Sequence, residues 1–435
     1  MLLMRVPWII TFNKRDDILR DSYIGVDEES GKIIYIGREK PKDLEIDELI
    51  ELRGSIILPG FINSHTHIPM VLLRGLKDDV NLRTWLFQYI FPAEDQLKAE
   101  DIYYGSLQGI AEMIESGVTT FFDMYMFEEE IAKAVYETGI RAVLSRGILD
   151  FTPDRTPETE LKKSLDFLNF LEKIWSRDPS ARERIFFAFG PHAPYTCSKE
   201  LLTLIREKAN KMKEQMRNTL INIHVAETKR EYEEFKKKYG LSPIQYLDSI
   251  DFLDSDVLSI HTVWVDDKDL DILSQRNVKV SHNPASNLKL GSGIAPIPKM
   301  IEKGIFVALG TDGAASNNRL DILGEARLAA LLHKGVNRNS ELLPAKKVLK
   351  MITIDAAKAL GLDKYIGSIE VGKYADLVVL NLKKVLQSTP FHDLYSLIVY
   401  SLDLRAIDAV MVGGRWLYRK GEFLTISHID NILEK

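Results

Sequence analysis

The chain has 435 residues, 45% apolar and 28% charged, with a net charge of −6. That balance supports a large core, and an acidic net charge with no long basic block argues against nucleic acid or anionic membrane as the main partner. The lone cysteine, Cys197, excludes an internal disulfide framework and a thiolate-rich metal cluster, leaving His, Asp or Glu to hold any metal.

Residues 1–10 are apolar but lack a basic n-region and a small-residue cleavage site. No apolar run approaches the roughly 18 residues of a membrane span, so a cytoplasmic protein is expected. Residues 9–12, 23–26 and 32–37 are β-branched or aromatic runs broken by Asp, Gly and Asn, and read as short strands. Residues 375–380 and 406–418 read alike. A small β-sandwich domain built from 1–55 and 365–435 is therefore expected to flank a continuous domain over 56–364.

Within that domain, 55–58 reads as a buried strand leading into Pro59-Gly60-Phe61-Ile62-Asn63-Ser64-His65-Thr66-His67. Apolar strands recur at 119–123, 141–146, 185–190, 220–224, 258–261, 278–282 and 306–312. Helix-like stretches separate them, for example 97–116, 128–138, 158–175, 198–214 and 320–334. Strand–helix repeated eight times predicts an α/β fold, a (β/α)8 TIM barrel. An open doubly wound sheet would carry a Gly-rich dinucleotide turn after its first strand, where this chain has His65 and His67. The connection 68–95 is too long for an ordinary βα loop and reads as a lid or substrate wall.

Six of the nine histidines (His65, His67, His192, His224, His261 and His282) fall at the C-terminal ends of proposed strands, the end where barrels build active sites. A paired core histidine is the ordinary explanation of any single one, above all His282, but not of six at one rim. His65 and His67, at i and i+2, point to one side of extended backbone. With His224 and Asp312 they form a set of three nitrogens and one oxygen that suits one Zn2+ per subunit, with Fe2+ as second choice. A divalent cation there lowers the pKa of a water towards about 7, and Asp312 can take that water's proton. Glu227, three residues past His224, is placed to pass a proton to substrate, although an isolated HxxE is more often a solvated helix start. His261 is placed to stabilise the attacking hydroxide or the developing oxyanion. The fourth strand has no lysine to carry a bridging carbamate, so one metal is expected rather than two.

These runs resemble the amidohydrolase superfamily, in its mononuclear deaminase and chlorohydrolase branch. The likeness continues in order through His224-Val225-Ala226-Glu227, His261, Ser281-His282-Asn283-Pro284-Ala285-Ser286-Asn287 and Gly310-Thr311-Asp312-Gly313. Leu73-Arg74-Gly75, Trp85-Leu86, Pro92-Ala93-Glu94-Asp95, Ser145-Arg146-Gly147 and Gly190-Pro191-His192 are similar to the branch's deaminases of 5-methylthioadenosine and S-adenosylhomocysteine. The resemblance implies a small adenosine-type substrate, deaminated to the inosine analogue and ammonia. It implies that Glu94 accepts hydrogen bonds from the ribose hydroxyls and that Arg146 and His192 contact substrate. It also implies that Glu227 meets the purine ring, that Asp312 lies beside metal and substrate, and that the barrel forms a homo-oligomer. Guanine deamination and triazine dechlorination are alternatives at the same metal site, and a non-catalytic scaffold is the alternative of another class. The loop 150–157 departs from relatives with a second arginine after the third strand, and Arg155 is left unassigned.

Overall fold

The computed structural model describes residues 1–214 and 219–426. Five strands open the chain: β1 (Leu2–Ile10), β2 (Ile18–Asp27), β3 (Lys32–Gly37), β4 (Glu48–Glu51) and β5 (Ser55–Pro59). Eight more follow: β6 (Phe61–Thr66), β7 (Val118–Tyr125), β8 (Arg141–Ile148), β9 (Ile185–Pro191), β10 (Leu220–Val225), β11 (Val257–His261), β12 (Lys279–His282) and β13 (Val307–Leu309). The chain closes with β14 (Leu377–Asn381), β15 (Ile407–Val412), β16 (Arg415–Arg419) and β17 (Glu422–Phe423).

Strands β6 to β13 pair in sequence order, all parallel, with helices between them. β7 and β10 are buried at every position, as expected of parallel strands covered on both faces. The ring closes where the Ser64 hydroxyl donates to the Leu309 carbonyl (2.8 Å) and the Asp312 N–H to the His65 carbonyl (3.0 Å). Ile62, Phe122, Val143, Ala188, Leu258 and Ala308, each from a different strand, share one cluster with Ala356 and Leu360. Residues spread around the ring can meet only at its axis, so the barrel interior is packed rather than open. This is the expected (β/α)8 barrel.

The other nine strands form one mixed sheet, ordered β17-β16-β15-β14-β5-β1-β2-β3 with β4 on β1, around a separate apolar core that includes Leu2, Ile24, Ile57, Leu377 and Met411. One strand differs from expectation. The run 55–58 is not the head of the barrel: it is β5, hydrogen-bonded between β1 and β14. Gly60 then carries the chain across to β6. A Cβ there would fall 2.1 Å from Thr119 Oγ1, so only glycine permits this close passage.

Sheet and barrel are joined by a buried ion pair. Arg141, at the start of β8, donates through Nε to Asp376 Oδ2 (2.7 Å) and through Nη2 to Oδ1 (2.9 Å). The connection 68–95 is largely short helical turns (Ile68–Leu73, Leu82–Thr84, Trp85–Ile90 and Phe91–Glu94). No helix among the described residues is long and apolar enough to cross a membrane.

Candidate active site

His65 lies in β6, His67 just beyond it and His224 in β10, while Asp312 follows β13. Nδ1 of His67 donates to the Met124 carbonyl (2.5 Å) and Nδ1 of His224 to the His192 carbonyl (2.7 Å). A carbonyl only accepts, so both rings hold their proton on Nδ1 and present Nε2 as a lone pair. His224 Nε2 is 3.2 Å from His65 Nε2, and Asp312 Oδ1 is 3.5 Å from His65 Nε2 and 3.4 Å from His67 Nε2. Ligands about 2.0–2.1 Å from a tetrahedral zinc stand roughly 3.3 Å from one another, and the spacing matches. Lone pairs and a carboxylate oxygen converging at this range repel unless a cation lies between them. His65, His67 and His224 are the one histidine and acid group with this convergence among the described residues. The donor set fits a divalent metal ion and could hold one.

The backbone around it is strained. His261, at the end of β11, and Ala226 and Asp312, just past β10 and β13, have φ of 68°, 52° and 62°, a region that costs residues other than glycine about 1–3 kcal/mol each. The buried Glu231 carboxylate holds one of these turns by accepting the N–H groups of Ala226 and Glu227, each at 2.9 Å. Burial pushes Glu231 up to about 8, against those two bonds.

Glu227 is buried, its Oε1 accepts from the Ser292 hydroxyl (2.8 Å), and its Oε2 is 3.7 Å from His261 Nε2. Burial raises its carboxyl above the ordinary range, partly offset by His261. Burial also works to raise Asp312, but the surrounding His65, His67 and His261 outweigh it and hold this carboxyl well below the usual range. Asp312 Oδ2 accepts from the Ser286 hydroxyl (2.6 Å) and Oδ1 from the Gly313 N–H (2.8 Å). His261 Nδ1 meets Asn287 Oδ1 at 2.8 Å. Burial lowers His65 to about 4 and His192 to about 3.

A cavity of about 470 Å³ opens over these groups. His67, His192, His224, Glu227, His261 and Asp312 line its floor; Glu94, Trp85 and Leu86 from the long connection, together with Arg146, line its wall. His65 lies beneath, fully buried. Burial pushes Glu94 up to about 7, and Arg146 pairs with Glu129 (3.1 Å) beside the cavity. His282 turns elsewhere: its Nε2 is 3.2 Å from Nε2 of His333, on the helix Ile322–Asn337, so it is a paired core histidine.

Sequence reasoning passed over Ser292, Ser286, Asn287, Thr196 and Glu231. Ser286 and Asn287 lie in the quoted run 281–287 and could have been suspected from it. Ser292 carries no local signal, because its partner Glu227 lies 65 residues earlier in the chain; Thr196 and Glu231 lie within five residues of their partners, but in turns that residue type alone does not announce.

The family model for the amidohydrolase family matches residues 56–417. A 5-methylthioadenosine/S-adenosylhomocysteine deaminase of Thermococcus sibiricus is 45% identical over 414 residues, covering 95% of this chain and 93% of that protein. A 5′-deoxyadenosine deaminase of Methanosarcina acetivorans is 43% identical over 416 residues, covering 96% and 92%. Among solved structures, an adenosine deaminase of Xanthomonas campestris with bound zinc superposes with a TM-score of 0.91 at 30% identity, over 100% of this chain and 97% of that one.

Proposed function

The chain belongs to the amidohydrolase family, and we propose on that premise that it is a metal-dependent hydrolytic deaminase of adenosine nucleosides altered at the 5′ position. 5-Methylthioadenosine and S-adenosylhomocysteine are the proposed substrates, with 5′-deoxyadenosine and adenosine as further ones. Names of full-length relatives support this range, and so does the cavity. The observation that carries it is three imidazole nitrogens and a carboxylate converging beside a buried acid, Glu227, whose pKa burial raises, in a cavity whose wall offers a second buried acid, Glu94.

His65, His67, His224 and Asp312 would hold one Zn2+ per subunit, with Fe2+ the second choice. When bound, that ion supplies an activated water by bringing its pKa towards about 7. Asp312, ionised despite burial, accepts a proton from the water that attacks C6 of the purine. Glu227, whose raised pKa favours the acid form, delivers a proton to ring N1. The C6 hydroxyl gives its proton to Glu227 as the ring carbonyl forms, and ammonia leaves once Asp312, directly or by way of Glu227, has returned the water's proton to the leaving nitrogen. His261 steadies the attacking oxygen. Glu94 accepts the ribose hydroxyls, and Arg146 and His192 fix the rest of the nucleoside. Guanine and triazines carry no diol for Glu94, which sets them behind the nucleosides.

The same proposal divides the chain into 1–55 with 365–435 and 56–364, and takes the enzyme to be cytoplasmic and homo-oligomeric. The bridge between Lys32 and Tyr374 supports the joining of the two ends, while β5 carries the sheet on to Pro59, past the boundary at 55. The test of function is a panel: 5-methylthioadenosine, S-adenosylhomocysteine, 5′-deoxyadenosine, adenosine and guanine, each followed by ammonia release. The 5′-altered adenosines should lead, and turnover of guanine alone would refute the reading.

A further inference from the structure

His192 flanks the metal site with both its main chain and its side chain. Its carbonyl accepts from His224 Nδ1 (2.7 Å) and from the His224 backbone N–H (3.0 Å). Its ring lies 5.0 Å from that of His224 and faces the cavity, and its Nδ1 meets Thr196 Oγ1 at 2.8 Å. A neutral imidazole has one N–H, so the role of Nε2 in the cavity depends on which way the hydrogen bond to Thr196 runs.

The neighbouring carbonyl decides it. The backbone N–H groups of Thr196 (3.1 Å) and Cys197 (3.0 Å) both donate to the Ala193 oxygen. A carbonyl oxygen has two lone pairs, and these two donors fill them. The Thr196 hydroxyl also lies near that oxygen, at 3.2 Å, as a third and longer contact. The shorter, open acceptor is His192 Nδ1. Thr196 is buried, so water does not compete for its proton.

We propose that Thr196 is a positioning residue: its hydroxyl donates to His192 Nδ1 and so fixes His192 as an Nε2–H donor aimed at a ring nitrogen of the purine. The purine as partner rests on the function proposed above. Adenine offers N1, N3 and N7 as ring acceptors, and N1 belongs to Glu227, leaving N3 or N7. In the other tautomer an imidazole lone pair would face a purine lone pair, and the contact would repel.

The test begins with nitrogen-15 spectra of zinc-loaded protein carrying labelled histidine, with His192 assigned through a His192→Asn variant. Wild type should show a protonated, pyrrole-type Nε2 and an unprotonated Nδ1. A proton on Nδ1 overturns the proposal. Thr196→Val removes the hydroxyl at nearly constant shape and should raise KM for 5-methylthioadenosine about tenfold, the worth of one hydrogen bond, with kcat changed far less. Thr196→Ser should restore wild-type KM, and zinc content should not change, because the bond from His224 goes to a main-chain carbonyl. The 3-deaza and 7-deaza analogues identify the partner: one should suffer the same loss with wild type, and Thr196→Val should add nothing further on that analogue. An equal penalty from Thr196→Val on every analogue overturns the proposal. The spectra need no turnover. A protein inert towards all adenosine compounds would therefore refute the substrate reading while the tautomer was still read.

Discussion

Glu94 yields the sharpest quantitative expectation. Burial pushes its carboxyl up from 4.5 to about 7, yet a diol needs it ionised, as an acceptor with no proton of its own. Nucleoside binding should therefore be linked to loss of one proton below neutrality. At pH 6, one unit under its pKa, about one molecule in eleven holds Glu94 ionised, so affinity should be about tenfold weaker than its plateau above pH 8. Each further unit downward should weaken it about tenfold again. Stability runs the other way. A carboxyl raised in the fold binds its proton more tightly there than in the unfolded chain, so the ligand-free protein is most favoured below about 4.5. It loses up to about 3 kcal/mol from this group as pH rises through about 7. Calorimetry on a Glu227→Gln variant, which keeps the substrate intact, would read the affinity of 5-methylthioadenosine from pH 6 to 8.5. Buffers of different ionisation enthalpy would count the released proton. Glu94→Gln should flatten the profile, and 2′,3′-dideoxyadenosine, without the diol, should show none of it. A pH-independent affinity with wild-type Glu94, or the same profile for the dideoxy compound, would refute the reasoning.

Other perturbations separate chemistry from scaffold. Glu227→Gln should keep its metal and lose turnover by about 10²–10⁴-fold, the usual weight of a positioned proton donor; elemental analysis beside a rate measurement checks both halves. Arg141→Ala leaves Asp376 buried without its bidentate partner and should destabilise the protein by about 3–5 kcal/mol. A denaturant midpoint unchanged from wild type would contradict that. At Gly310 a Cβ would fall 2.5 Å from Asn283 Oδ1, 2.8 Å from Ser281 Oγ and 2.9 Å from the His65 backbone nitrogen. Gly310→Ala should therefore cost about 1–3 kcal/mol by overpacking and weaken metal retention through displaced His65, seen as zinc per protomer after dialysis.

The residues proposed to carry the chemistry were legible because they recur at one structural position, the C-terminal ends of parallel strands, where a side chain enters the mouth of the barrel. His65, His67, His224 and Asp312 converge at 3.2–3.5 Å from strands far apart in sequence. What was illegible has physical causes. A run of four apolar residues such as 55–58 has no period that says which sheet it joins, and the steric need at Gly60 arises only once Thr119 is beside it. The orienting partners of His67 and His224 are main-chain carbonyls, which no residue type announces. His282 looked like its neighbours by position, but its ring bonds to His333, 51 residues further on. Small polar residues such as Ser292 and Thr196 acquire a role only from what the fold sets against them.

The central claim is metal-dependent attack on the adenine ring. Its most direct test follows the ultraviolet spectrum of 5-methylthioadenosine with metal-quantified protein, before chelation, after chelation and after zinc is restored. The account predicts an adenine-to-hypoxanthine change with one ammonia per nucleoside, abolished by chelation and recovered in proportion to zinc bound. An unchanged spectrum with a fully loaded protein, or conversion that persists without metal, would contradict it.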